Sequence, residues 1–115
     1  MALNQRVMVK ALNSSNIFEQ PAGQDMIIVY RPKTDSSGGL IVDNFGSVSF
    51  ERAGGVKSGS TGAITGASMK ANRNQFIEYK DLPPALGIDL IHVYPVQLEQ
   101  YQGIGWFIGD SLKSI

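Results

Sequence analysis

Short extended segments separated by turn residues run along the whole chain, and this pattern constrains the possible fold more than any other feature. Clusters of Gly, Pro, Asn and Ser recur about every ten residues, and the segments between them either alternate apolar and polar side chains or are apolar throughout. The expected strands are 5–12, 25–31, 40–42, 46–52, 74–80, 88–94, 96–101 and 103–108. One helical turn is allowed at 67–72.

Seven or eight strands of about five residues each predict an all-β fold, either an antiparallel β-sandwich or a small β-barrel, with long Gly/Ser-rich loops and minimal helix. The 115 residues are expected to form one domain, 1–115. Segment 26–30 is apolar on both faces, which predicts a strand that is covered on both sides. Pro95 is expected to end strand 88–94 or to mark a bulge, because proline cannot donate to a ladder.

The composition excludes several classes of protein. Ten Lys and Arg residues balance ten Asp and Glu residues, and charged residues are only 17% of the chain, so a disordered polyelectrolyte, a coiled coil and a strongly basic nucleic-acid binder are excluded. The chain has no cysteine, which excludes disulfides and thiolate metal sites. No apolar run approaches the ~20 residues of a membrane span, so we expect no membrane partner.

A glycine-rich segment at 53–66 contains five glycines and is expected to be a flexible contact loop. Its spacing from Gly54 to Gly59 resembles that of a phosphate-binding loop, but Ser60 stands where the phosphate-binding lysine is needed. We therefore interpret it as a protein-contact surface. The candidate interface residues are Gly54, Gly55, Val56, Lys57, Trp106 and Phe107.

His92 is the only histidine, and it lies among apolar neighbours on an expected strand. Catalysis requires an orienting carboxylate and a nucleophile beside it, which the spacing does not supply, so a structural, hydrogen-bonded histidine is the preferred interpretation. The acids are dispersed, and Glu78 is expected on a solvated strand edge. The sequence thus predicts no enzyme activity, no catalytic residues, no metal and no cofactor.

Charge is distributed unevenly along the chain. Segment 52–80 carries five basic residues and one acid, a net charge of +4, whereas segment 81–115 carries four acids and one lysine, a net charge of −3. Opposite patches of this kind favour a repeating assembly of copies. Aromatic residues beside bases leave an alternative, an OB-like module that binds single-stranded nucleic acid. Its contact residues would be Tyr30, Arg31, Arg52 and Arg73.

In overall style the chain resembles small virion proteins of tailed bacteriophages, such as head decoration proteins and tail or neck components. The resemblance rests on a cysteine-free chain of short strands, on the Gly/Ser-rich segments 34–39 and 53–66, and on the apolar, glycine-punctuated segment 103–109. It implies a structural protein of the virion that contacts itself and larger shell or tail proteins. Without this resemblance, a cytoplasmic location is expected. Segments 1–5 and 110–115 are further expected contact elements.

Overall fold

The described part of the chain contains nine β-strands and three short 3-10 turns. In this computed structural model the described residues are 1–11, 17–19, 25–79 and 89–115. The strands are β1 (Arg6–Val9), β2 (Ile17–Glu19), β3 (Asp25–Pro32), β4 (Phe50–Lys57), β5 (Thr61–Ile64), β6 (Met69–Asn72), β7 (Leu90–Leu98), β8 (Ile104–Ile108) and β9 (Leu112–Ser114). The 3-10 turns are Arg73–Gln75, Ile77–Tyr79 and Gly109–Ser111.

All nine strands belong to one sheet, and every pairing between them is antiparallel. The sheet runs in the order β2-β3-β8-β7-β5-β1-β9, with β4 on the second edge of β3 and β6 beside the first half of β7. The all-β antiparallel prediction with minimal helix is therefore confirmed. The choice between a sandwich and a barrel stays a prediction.

Both faces of the sheet are covered by apolar side chains. Strand β3 shows this directly, because Ile27 and Val29 point to one face whereas Ile28 and Tyr30 point to the other. The first core consists of Val7, Val9, Ile27, Val29, Val56, Ile64, Val96, Leu98, Phe107 and Leu112. The second core consists of Ile28, Tyr30, Val48, Phe50, Ala71, Phe76, Val93 and Ile108. The two cores explain why segment 26–30 is apolar throughout.

The glycine-rich segment 53–66 is not a loop. Most of it belongs to β4 and β5, and only residues 58–60 connect the two strands. Ladder pairing of β4 with β3, and of β5 with β1 and β7, orders the segment in spite of its glycines. Gly62 is required by close packing, since a Cβ there would lie 2.3 Å from the backbone oxygen of Gln97.

Three further expectations about elements are corrected. Segment 67–72 contains strand β6, because pairing with β7 overrides its weak local helical preference. The expected strand 74–80 is replaced by the two 3-10 turns Arg73–Gln75 and Ile77–Tyr79, and residue 80 lies outside the described residues. The first turn begins where the Asn72 side chain accepts a hydrogen bond from the Asn74 backbone N–H at 3.2 Å. Segment 40–42 makes only isolated bridges, from Leu40 and Val42.

Pro95 neither ends a strand nor causes a bulge, because β7 runs through it. Strand β6 covers one edge of β7 up to Val93, and β5 covers the same edge from Val96. Pro95 lies between the end of the β6 pairing and the start of the β5 pairing, and its carbonyl accepts a hydrogen bond from the Thr65 backbone N–H at 3.0 Å. Because neither β5 nor β6 pairs with β7 at this residue, the N–H that proline lacks removes no ladder hydrogen bond on that edge.

Candidate functional site

The connection between β3 and β4 forms an ordered arm, residues 33–49. Two turns shape it, and each is organised by one aspartate. The Asp35 Oδ1 atom accepts from the backbone N–H groups of Ser37 and Gly39, both at 2.9 Å. Asp43 Oδ1 accepts in the same way from Phe45 at 2.9 Å and from Ser47 at 3.0 Å. Aspartate side chains that bond their own following backbone in this way favour a single turn conformation.

The arm is also fixed to the body of the protein. Val48 is buried, and its N–H donates to the Lys70 carbonyl on β6 at 2.9 Å. The Ser47 hydroxyl accepts from the Asn72 backbone N–H at 2.7 Å. The Ser49 backbone N–H donates a hydrogen bond to the Ile41 carbonyl at 2.9 Å, and this bond connects the outer part of the arm to the part anchored on β6. The arm is therefore held in one place against the sheet.

Four large apolar side chains on the arm are exposed to solvent. The exposed fraction lies between 41% and 65% for this apolar patch, which consists of Leu40, Ile41, Val42 and Phe45. Single exposed apolar residues are ordinary on a protein surface, whereas a contiguous group of them marks an interaction site. The sequence pattern does not reveal the patch, because three consecutive apolar residues are equally typical of a buried strand.

The expected interface residues do not form one surface. Val56 and Phe107 are 4% and 1% exposed and pack in the first core, so the expectation for these two is corrected. The alternation of β4 and β8 turns both side chains inward. Trp106 is half-buried on the opposite face of β8, with its ring 5.8 Å from that of Phe50. The remaining three residues, Gly54, Gly55 and Lys57, lie along β4 and stay candidates for contact.

The expected nucleic-acid contacts are mostly engaged within the protein. Tyr30 is buried, and its ring packs edge-on against another ring of the second core. Arg31 forms an exposed ion pair with Glu51 at 3.5 Å, and the half-buried Arg73 forms one with Asp89 at 3.2 Å. Tyr30 is the one aromatic residue among the four expected contacts, and because it is buried it offers no exposed ring for base stacking.

The buried hydroxyl of Tyr30 is hydrogen-bonded to the buried carboxylate of Glu78. It donates to both oxygens of Glu78, at 2.8 and 2.9 Å, and Glu78 is only 2% exposed, which corrects its expected place on a solvated edge. The turn Ile77–Tyr79 aims this side chain into the second core. Burial raises the pKa of Glu78 above its usual range. Burial and the charge of Glu78 together raise the pKa of Tyr30.

A cleft of about 300 Å³ opens where β7 and β8 meet the turn Gly109–Ser111. The cleft is lined by Tyr79, Ile91, His92, Tyr94, Gly109 and Asp110. The Tyr79 hydroxyl donates to Asp110 Oδ2 at 2.8 Å. Burial raises the pKa of Tyr79, and the hydrogen bond and charge of Asp110 raise it further, followed by the charges of Glu78 and Asp89.

His92 is exposed on the wall of this cleft, which corrects its expected apolar surroundings. Its Nδ1 atom lies 2.9 Å from the Ser68 hydroxyl, and its ring centroid lies 6.3 Å from that of Tyr94. Within the described ranges, no carboxylate hydrogen-bonds to the imidazole, so the Ser68–His92 pair lacks the orienting acid of a catalytic triad. Nor do the described residues contain three His, Asp or Glu side chains grouped to hold a metal ion.

Comparison with known proteins gives no match to a family model, to a curated protein or to a solved structure. In the part of the chain that the structure describes, no helix is long and apolar enough to cross a membrane. A functional assignment therefore depends on the arm, the cleft and the charges of this chain.

Proposed function

We propose that this protein is a structural, non-enzymatic protein that assembles through its arm, with copies of itself or with a larger protein. The observation that carries the proposal is the apolar patch, Leu40, Ile41, Val42 and Phe45, held outward on an ordered support. Removing such side chains from water contributes roughly 25 cal/mol per Å² of apolar surface to association, and the entropy lost on binding offsets part of this gain.

The order of the arm strengthens this proposal. A flexible segment loses conformational entropy when a partner fixes it, and this loss weakens binding. Here the turns at Asp35 and Asp43 and the buried side chain of Val48 have already fixed the arm before any partner arrives. The apolar patch is thus presented in a form that binds without a large ordering cost.

Light scattering coupled to size exclusion tests the proposal with a matched pair of variants. Ile41 and Ile104 have the same side chain and nearly the same exposure, 41% and 42%, but only Ile41 belongs to the apolar patch. We expect Ile41→Ser to weaken assembly and Ile104→Ser to leave it intact. A wild-type protein that stays monomeric and binds no capsid shell would contradict the proposal.

We extend the proposal to a component of a virus particle, a capsid decoration protein or a tail or neck protein. Support for this extension comes from the resemblance in composition and segment style to small phage virion proteins. Mixing the protein with candidate capsid shells tests it, and saturable binding to the shell that Ile41→Ser weakens is the expected result.

Binding of single-stranded nucleic acid has less support. Among the four residues expected to make these contacts, Tyr30 is buried, while Arg31 and Arg73 already have carboxylate partners. Fluorescence anisotropy with a labelled oligonucleotide decides between the two functions. Salt-dependent binding that Arg52→Ala weakens would favour the nucleic-acid function instead.

A further inference from the structure

The cleft beside Asp110 contains a carboxylate with one oxygen held in place and the other without a partner. The Oδ2 atom of Asp110 accepts a hydrogen bond from the Tyr79 hydroxyl at 2.8 Å. No described residue donates a hydrogen bond to the second oxygen, Oδ1. Because Tyr79 fixes the orientation of the carboxylate, a ligand that bonds to Oδ1 meets an acceptor that is already positioned.

Three rings line the same cleft, those of Tyr79, His92 and Tyr94. The His92 and Tyr94 rings are inclined to each other by 34°, with their centroids 6.3 Å apart. Gly109 packs closely against one of them, since a Cβ there would lie 3.2 Å from the Tyr94 ring. The faces of aromatic rings are electron-rich and attract cations. The rings and the carboxylate therefore favour a ligand of the same charge.

A guanidinium group fits these features better than other cations do. It is planar, stacks on aromatic faces and donates hydrogen bonds to a carboxylate from several N–H groups. An ammonium group is compact and more strongly hydrated, so it gains less from a cleft lined by rings. A structural metal site needs more ligands than Asp110 and His92, and the described residues contain no group of three such side chains.

The charges around the cleft oppose a cation only weakly. Lys70 is the nearest basic residue that the sheet register shows, since it lies opposite His92 across β6 and β7. Its side chain is exposed and lies outside the lining, so solvent screens its charge. Asp89, immediately before β7, is near enough to Tyr79 for its charge to raise the pKa of that hydroxyl, although Arg73 pairs with it at 3.2 Å.

The size and openness of the cleft indicate what carries the guanidinium group. At about 300 Å³ the cleft is at the lower limit of small-molecule sites. Such sites bury most of the surface of a free ligand, whereas His92 and Asp110 are both exposed on the walls of this cleft. A cleft of this kind suits the end of a long side chain whose backbone stays outside.

We propose that the cleft beside Asp110 binds an arginine side chain of a partner protein. The guanidinium group lies against the rings of His92 and Tyr94 and donates to the Oδ1 atom of Asp110. The inference goes beyond the proposed function, because the apolar patch contributes no residue to the cleft. Each can therefore fail without the other.

A ligand titration followed by NMR tests the site. The probe is acetyl-arginine amide at pH 8, where histidine rings are mostly neutral, and acetyl-citrulline amide is the uncharged control of the same shape. We expect saturable chemical-shift changes at the cleft residues with the arginine probe alone. Equal responses to the two compounds, or tighter binding of acetyl-lysine amide, would overturn a guanidinium site.

Substitutions locate the contact. Asp110→Asn keeps an oxygen that accepts from the Tyr79 hydroxyl, and we expect it to weaken binding of the arginine probe about tenfold. Glu99→Gln removes the same charge from an exposed side chain beyond the far end of β7, so it is the matched control and should leave the affinity within about twofold. Lys70→Gln should strengthen binding slightly. Equal losses in Asp110→Asn and Glu99→Gln would overturn the contact, and thermal melts check that both variants are folded.

Two further titrations identify the source of the arginine. The peptide acetyl-Gly-Arg-Gly amide is expected to bind as tightly as ethylguanidine, because its backbone stays outside the cleft. Binding of ethylguanidine without binding of the peptide would overturn an arginine carried by a protein. A second copy of the chain offers Arg52, which is exposed on β4 and makes no ion pair with a described residue. Cleft signals that shift with protein concentration in the wild type, but not in Arg52→Gln, would overturn a separate partner in favour of a second copy.

One variant separates this inference from the proposed function. Ile41→Ser is expected to weaken assembly and to bind the arginine probe with unchanged affinity. No binding of the probe by a wild-type protein that assembles through the arm would refute the inference and leave the proposed function standing. Binding of the probe by a protein that stays monomeric and binds no shell would support the inference and contradict the proposed function.

Discussion

The buried pair of Tyr30 and Glu78 gives the most quantitative prediction for stability. Tyr30→Phe removes one oxygen and keeps the ring, whose centroid lies 4.9 Å from that of Phe76 in an edge-on contact. The lost hydroxyl donates to both carboxylate oxygens of Glu78. Hydrogen bonds to charged groups contribute about 1.5–3 kcal/mol, so we expect Tyr30→Phe to lower the free energy of unfolding by about 2 kcal/mol.

Urea denaturation followed by the fluorescence of the single tryptophan, Trp106, measures this loss. For a domain of this length, 2 kcal/mol corresponds to a fall in Tm of about 6–10 °C. Tyr101→Phe is the matched control, because its hydroxyl makes no hydrogen bond within the part of the chain that the structure describes. Equal stability of Tyr30→Phe and Tyr101→Phe would refute the role assigned to the buried hydroxyl.

The same pair makes stability depend on pH. Since burial raises the pKa of Glu78 in the folded protein, its contribution is fully present below the unfolded-state value of about 4.3 and is lost as the pH rises through the higher folded-state value. Glu78→Gln does not titrate. We therefore expect the wild-type protein to lose stability relative to this variant as the pH rises, and a difference that stays constant from pH 4 to pH 9 would contradict the reasoning.

Two further predictions concern packing. Gly62→Ala is expected to lower the free energy of unfolding by about 3 kcal/mol, because the new Cβ would lie 2.3 Å from the backbone oxygen of Gln97. Gly66→Ala is the control, because its Cβ would lie 3.7 Å from the nearest atom, and a thermal melt should show it to be nearly neutral. Phe107 is buried, so Phe107→Ala is expected to lower the free energy of unfolding by about 3–5 kcal/mol. Phe45 is exposed, so Phe45→Ala should leave this free energy unchanged and weaken assembly. Unfolding and light scattering on the same samples measure the two effects. Similar stabilities for Phe107→Ala and Phe45→Ala would contradict these assignments.

The features that the sequence predicts correctly are those that local patterning determines. The alternation of His92 with Val93 along β7, and the apolar run of β3, follow from the two-residue period of a strand, and the structure has both. The turns at Asp35 and Asp43 likewise need only their own neighbours, since each aspartate bonds to backbone within four residues.

The features that the sequence does not predict depend on contacts between distant residues. Glu78 is buried because the hydroxyl of Tyr30 meets it across 48 positions of sequence. Pro95 is accommodated within β7 because the pairing with β6 ends before it and the pairing with β5 begins after it. Two further features depend on how the turns pack on the sheet, namely the exposure of the arm and the presence of the cleft beside Asp110. No local spacing of residues in the sequence predicts either feature.

The measurement that tests assembly through the arm most directly is the mobility of a spin label on the arm itself. The chain has no cysteine, so Val42→Cys and, as a control, Ile104→Cys each carry a label at one defined position. We predict that the label at residue 42 becomes immobile as the protein assembles, while the label at 104 keeps its mobility. An assembly in which the label at residue 42 remains as mobile as in the dilute monomer would contradict assembly through the arm.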